Sequence, residues 1–149
     1  MTPEVVQLVA VLNAQRESAL TKLAGLKEAD ARRSTVDSGT NLAGLLQHLT
    51  FVESKWFENI VGGGKPTRGS RSMAVDPSVS LRTLRAEYRE ACAASNAIIA
   101  GIGDADVPII NGGEIRNLRS VILGVIEETA RHVGHADIIR EQIDGTRGR

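Results

Sequence analysis

Between Thr40 and Gly62 the apolar residues Leu42, Leu45, Leu46, Leu49, Val52, Trp56 and Ile60 recur at helical spacing, and Gly62-Gly63-Gly64 followed by Pro66 stops the run. A helix with such a stripe must bury it against a neighbour. Three further segments carry the same period. Thr2 caps a helix predicted over residues 3–26, with Pro3 and Glu4 in its first turn and Val5, Val9, Leu12, Leu20, Leu23 and Leu26 along one side. Ser80 caps a third, carrying Leu81, Leu84, Tyr88, Ala91, Ala94, Ser95, Ile98 and Ile99 and ended by Gly101 and Gly103. Its small residues Ala91, Ala93, Ala94 and Ala97 allow close packing. Asn117 caps a fourth that runs to about Ile143, with Leu118, Val121, Ile122, Val125, Ala136, Ile139 and Ile143 on one side and Gly145 beyond. Four such helices within 149 residues predict an all-α fold, a single four-helix bundle filling one domain over residues 1–149.

The connections read as loops. Residues 29–39 are polar, and residues 65–77 hold glycines, serines, three basic residues and two prolines without period, which predicts a mobile surface loop able to border a site. Residues 107–117 contain Ile109-Ile110 and Asn111-Gly112-Gly113, compatible with a short hairpin or a loop, the loop being preferred. The tail 146–149 is too short and polar to order itself.

Composition removes several function classes. Eighteen basic and eighteen acidic side chains cancel, so no global field draws the chain to nucleic acid or to an anionic membrane. No run of 18 apolar residues and no signal peptide is visible, so no membrane span is expected. Cys92, the only cysteine, excludes an internal disulfide and fits a cytoplasmic location; set among alanines, it reads as a small packed residue. With aromatics at 3%, Trp56 and Phe57 read as core rather than as a stacking platform. Arg131 and Arg140 read as solvated or salt-bridged.

The three histidines all fall on the second and fourth helices. At about 100° per residue, Glu128 and His132 are separated by roughly 40° and His135 lies within about 20° of Glu128, so the three form one stripe at the edge of the apolar face. His48 lies roughly 100° from the middle of the apolar face of its own helix, where it can reach toward a neighbour. Ionisable groups at water-poor positions are costly unless partnered, and a divalent cation is one partner that imidazoles and a carboxylate in a bundle interior can share. A hydrogen-bonded structural histidine and a surface Glu–His pair are the alternatives that spacing leaves open.

The segment from Asn41 to Phe57, containing His48, Glu53 and Trp56, and the string Glu127-Glu128-Thr129-Ala130-Arg131-His132-Val133-Gly134-His135-Ala136-Asp137 resemble the DinB/YfiT-like superfamily over nearly the whole chain. The nearest branch in pattern is the actinobacterial type related to the N-terminal domain of mycothiol-dependent maleylpyruvate isomerase. The resemblance implies an up-down-down-up bundle that binds a divalent metal through a histidine of the second helix and two ligands of the fourth. Those roles fall on His48, Glu128 and His132, with His135 as a further ligand or as cavity lining. Zinc is the expected metal, with nickel, iron or manganese as alternatives.

One departure is visible: relatives often carry a histidine and an aromatic residue early in the last helix, where this chain has Gly124 and Ser120, which implies a wider or wetter cavity. Glu53, near the middle of the second helix's apolar face, also recurs in the resembling pattern and reads as a partner of a ligand histidine, with a pair to an arginine from another helix as the alternative. The function implied is a metal-dependent transferase that activates a small-molecule thiol toward an electrophile. A hydrolase on the same ligands and a non-catalytic bundle binding a small molecule or a partner are the other readings. A homodimer is expected from the resemblance and the long apolar helices.

Overall fold

The computed structural model describes residues 1–66 and 68–148; Thr67, inside the predicted loop 65–77, and Arg149, at the end of the predicted tail, lie outside the described residues. Helix α1 is Pro3–Thr21, capped by Thr2, whose hydroxyl accepts from the Val5 N–H at 3.4 Å. It stops short of the predicted residue 26. The chain turns at Gly25, at φ +72°, and Arg140 from the last helix donates to the carbonyls of Lys22 and Ala24 at 3.0 and 2.7 Å. Leu23 stays buried through that turn, so the apolar period outlasts the helix.

Helix α2, Glu28–Arg32, lies where a loop was expected. Its one buried residue is Ala31, and its ends are held by tertiary bonds: Glu28 accepts from the Leu81 N–H at 3.1 Å, and Arg32 donates to the Val79 carbonyl. A five-residue helix made by such contacts leaves no period to read.

Helix α3 is Leu42–Glu53, capped by Asn41, whose side chain accepts from the Gly44 N–H at 2.8 Å. The predicted second helix does not continue as an α-helix. Residues Ser54–Val61 form a π-helical segment, and the Gly62 N–H reaches back five residues to the Phe57 carbonyl at 2.8 Å. The wider turn leaves Phe57 fully buried and Lys55 and Trp56 half-buried. Helix α4, Leu81–Ile102, begins at Ser80 and ends at Gly103 with φ +71°, as its signals predict, although of its four small residues Ala91 alone is buried.

Residues 107–117 form a hairpin, not the loop that was preferred. Strands β1, Pro108–Asn111, and β2, Glu114–Asn117, pair antiparallel with Asn111 opposite Glu114. Gly112 and Gly113 both have positive φ, +55° and +90°, which gives a two-residue turn whose twist suits paired strands. Helix α5, Leu118–Asp144, starts in a capping box of Asn117 and Ser120.

Helix α1 packs chiefly on α5 and α3 on α4, with α3 also against α5. The fold is therefore helical, but the long helices carry a short helix, a π-helical segment and a two-stranded sheet that a plain four-helix bundle lacks. No described helix is long and apolar enough to cross a membrane.

The core divides in two. One apolar cluster holds Leu20, Leu42, Leu46, Leu49, Tyr88 and Val133, and the other holds Val5, Leu12, Phe57, Ile99, Ile122 and Val125. Along each long helix a buried polar residue falls between the two: Arg16 between Leu12 and Leu20, Glu53 after Leu49, Ser95 between Tyr88 and Ile99, Thr129 between Val125 and Val133. Glu128 and His132 leave α5 at this same level.

Candidate metal centre

Helix α5 projects Glu128 and His132 from successive turns, and α3 projects His48 toward them. Glu128 Oε2 lies 3.2 Å from His132 Nε2 and 3.8 Å from His48 Nε2. The His48 and His132 rings meet edge to face with centroids 4.7 Å apart. One ligand atom from each of the three residues falls within 4.8 Å of the others. A tetrahedral ion with bonds of about 2.0–2.2 Å needs ligand atoms about 3.3–3.6 Å apart, so the two shorter separations bracket the requirement.

The donor set has a second property that suits a cation. His48 Nδ1 and His132 Nδ1 are both buried without a hydrogen-bond partner among the described residues. An imidazole with one nitrogen toward a shared carboxylate and the other unpaired is under-satisfied. Burial, then the neighbouring charge of His48, holds His132 below its ordinary value of 6.5 despite the opposing pull of Glu128. The neutral imidazole is the form that ligates.

His135 stands apart from this trio. Its ring lies 5.5 Å from that of His132, but it is exposed and faces a groove of about 380 Å³ with Val36, Thr40 and Ile138. Glu53 touches neither histidine. It is almost fully buried and takes a two-pronged bond from Arg16, Nε to Oε1 and the terminal nitrogen to Oε2, each 2.7 Å, and a third from the Ser95 hydroxyl at 2.7 Å. Of its two expected partners, the arginine of another helix is the one present. Arg16 also donates to Asn13 and Asn96 at 2.7 Å, closing a network across α1, α3 and α4. Arg16 was not singled out from the sequence, although its place four residues from both Leu12 and Leu20 puts it on the apolar stripe.

Beside the trio opens a cavity of about 480 Å³, walled by His48, Glu128, Phe51, Trp56, Arg71 and Gly124. A Cβ added at Gly124 would meet nothing within 4 Å, in accord with the wider cavity expected there. Ser120 is occupied elsewhere, in the cap of α5. Trp56 thus lines the cavity while Phe57 is core.

The segment bearing Arg71 is strapped to α3 rather than loose. Gln47 donates to the carbonyls of Ser72 and Ala74 at 2.9 and 3.2 Å, Asn41 donates to that of Met73 at 2.8 Å, and Arg68 pairs with Glu58. Two glycines permit the contact: a Cβ at Gly44 would sit 2.5 Å from the Met73 carbonyl oxygen, and one at Gly69 would sit 2.3 Å from the Phe51 nitrogen.

The remaining expected groups are absorbed structurally. Burial pushes the Cys92 thiol up to about 12, aided by the charge of Glu53, which leaves it a poor nucleophile. Arg131 pairs with Glu127 at 2.5 Å and Glu128 at 3.3 Å, and Arg140 with Asp144 at 2.9 Å besides holding the end of α1.

The helical fold, with a histidine of α3 brought to a glutamate and a histidine of α5, defines a DinB/YfiT-like protein. A family model described as mycothiol S-transferase matches residues 7–145, and the chain belongs to that family. Among solved structures, the crystal structure of the conserved protein of locus from Enterococcus faecalis aligns with a TM-score of 0.74 at 13% identity, covering 94% of this chain and 96% of that one. At that identity the likeness establishes the fold. No curated protein matches the chain.

Proposed function

We propose that the protein is a metal-dependent thiol S-transferase that joins a low-molecular-weight thiol, mycothiol in the first instance, to a small electrophile. The observation that carries the reading is the convergence of His48, Glu128 and His132 at the wall of a cavity large enough for a small molecule. Family membership supplies the thiol.

His48, Glu128 and His132 would hold a divalent cation, zinc for preference, as three protein ligands with a position left open. Such a cation, when bound, lowers the pKa of a coordinated thiol and so raises its nucleophilic fraction at neutral pH. The chain's own residues do the rest. Phe51, Val52 and Trp56 give the cavity an apolar wall that keeps water from competing with sulfur. Arg131, bonded to both Glu127 and Glu128, fixes the Glu128 carboxylate toward the histidines. In the transfer the sulfur electron pair forms an S–C bond, the leaving group departs with its bonding pair, and the thiol proton passes to water.

The test is turnover of a chromogenic halide electrophile with mycothiol, on zinc-loaded and chelator-stripped protein. Thiol consumption that follows the metal supports the proposal. Equal rates with and without metal would refute it.

A further inference from the structure

The cavity beside the histidines constrains the electrophile, given the transferase reading above. Its wall carries two cations from separate elements, Lys55 of the π-helical segment and Arg71 of the strapped loop. Each is held against a ring: Lys55 Nζ lies 5.9 Å from the Trp56 centroid and Arg71 Cζ 5.2 Å from that of Phe51. These contacts fix the side chains without cancelling their charge. Among the described residues neither cation has a carboxylate within ion-pair distance. Arg116, the third cation facing these rings at 5.3 Å from Trp56, is by contrast paired with Glu114 at 3.0 Å. The acids of the cavity are committed elsewhere, Glu127 to Arg131 at 2.5 Å and Glu128 to the histidine cluster.

We propose that Lys55 and Arg71 form an anion subsite that selects electrophiles carrying a carboxylate. The carboxylate binds between the guanidinium and the ammonium, and the body of the molecule lies along the open wall at Gly124 with its reactive carbon toward His48 and Glu128. An arginine offers two parallel N–H donors to such a group and a lysine adds a point charge. The cavity of about 480 Å³ is of the size that encloses a substituted benzene ring. For a benzylic chloride bearing a carboxylate, the S–C bond forms as the C–Cl bond breaks, chloride leaves with the electron pair, and the thiol proton goes to water.

Trp56 is the chain's only tryptophan, so its fluorescence reports ligands entering this cavity. Titrating zinc-loaded protein with the unreactive pair 4-methylbenzoate and 4-methylbenzamide should show the carboxylate binding at least tenfold more tightly. In the Lys55→Gln/Arg71→Gln double variant that preference should fall to near unity. Equal binding of the two probes by the unaltered protein overturns the proposal. So does a preference that survives in the double variant, which would place the carboxylate on the zinc instead. Gly124→Leu, on an open helix face, should weaken both probes by about tenfold; unchanged binding there would put the ligand elsewhere. Turnover of 4-(chloromethyl)benzoate separates the two proposals: preference without metal-dependent turnover refutes the transferase and keeps the subsite, and turnover without preference does the reverse.

Discussion

Replacing Glu53 with alanine removes the centre of the polar layer that joins three helices. The side chains of Arg16 and Glu53 are 3% and 1% exposed, so solvent screens almost none of their interaction. The substitution deletes three hydrogen bonds of 2.7 Å and leaves the Arg16 guanidinium charged in the core with Asn13 and Asn96 as its remaining partners. Breaking one side of a buried ion pair typically costs about 3–5 kcal/mol, a large share of the roughly 5–15 kcal/mol that holds a domain folded. For a chain of this length each kcal/mol moves the melting temperature by about 2–4 °C, so Glu53→Ala should melt about 6–20 °C lower. Urea unfolding at pH 7 followed by circular dichroism measures the loss. The paired change Arg16→Met/Glu53→Leu removes the stranded charge and should recover at least half of it. A loss under about 1 kcal/mol for Glu53→Ala, or no recovery in the pair, would refute the claim that the network is one interdependent unit.

Because Glu53 touches no histidine, folded Glu53→Gln should keep its zinc affinity within a few fold, where loss of a carboxylate orienting a ligand histidine costs about 10–100-fold; competition with a chromogenic chelator decides. The depressed titration of His132 predicts a pH slope in metal-free protein: its unfolded imidazole takes a proton near 6.5 and the folded one only lower, so stability is full above that pH and is lost as pH falls through the folded value. Chemical unfolding between pH 7.5 and 5.5 should show the decline, and His132→Asn should flatten it; an identical slope in both would contradict the assignment. Gly69→Ala forces a side chain against the Phe51 backbone at a φ of +70°, so it should destabilise the protein and release the strap that carries Arg71, read as faster proteolysis in that segment. Ile122→Ala, fully buried in one core half, should cost about 2–5 kcal/mol by the same urea assay.

The third and fourth predicted helices were legible because each carries its apolar period between a capping residue and a glycine stop, and Ser80, Asn117, Gly103 and Gly145 act as those signals say. What was misread depends on partners far along the chain. α2 exists through Leu81 and Val79, α1 ends where Arg140 holds its carbonyls, and the loop before α4 is pinned by Gln47 and Asn41. The hairpin signal was present in Asn111-Gly112-Gly113, but four-residue strands give too few alternations to outweigh a loop. At the site, the angular stripe grouped Glu128, His132 and His135, the resemblance gave the ligand roles to His48, Glu128 and His132, and the packing of α3 against α5 shows His48 beside the other two while His135 turns to the surface. Glu53 stood out as a buried acid, yet its partner was visible only as an arginine interrupting the stripe of α1.

The central claim is that His48, Glu128 and His132 share one ion. Zinc content of the dialysed protein, measured by elemental analysis alongside His48→Ala and His132→Ala, tests it most directly. The account predicts one ion per chain in the unaltered protein and loss of nearly all of it in each folded variant. Full retention of zinc by either variant, or none bound by the unaltered chain at saturating zinc, would contradict it.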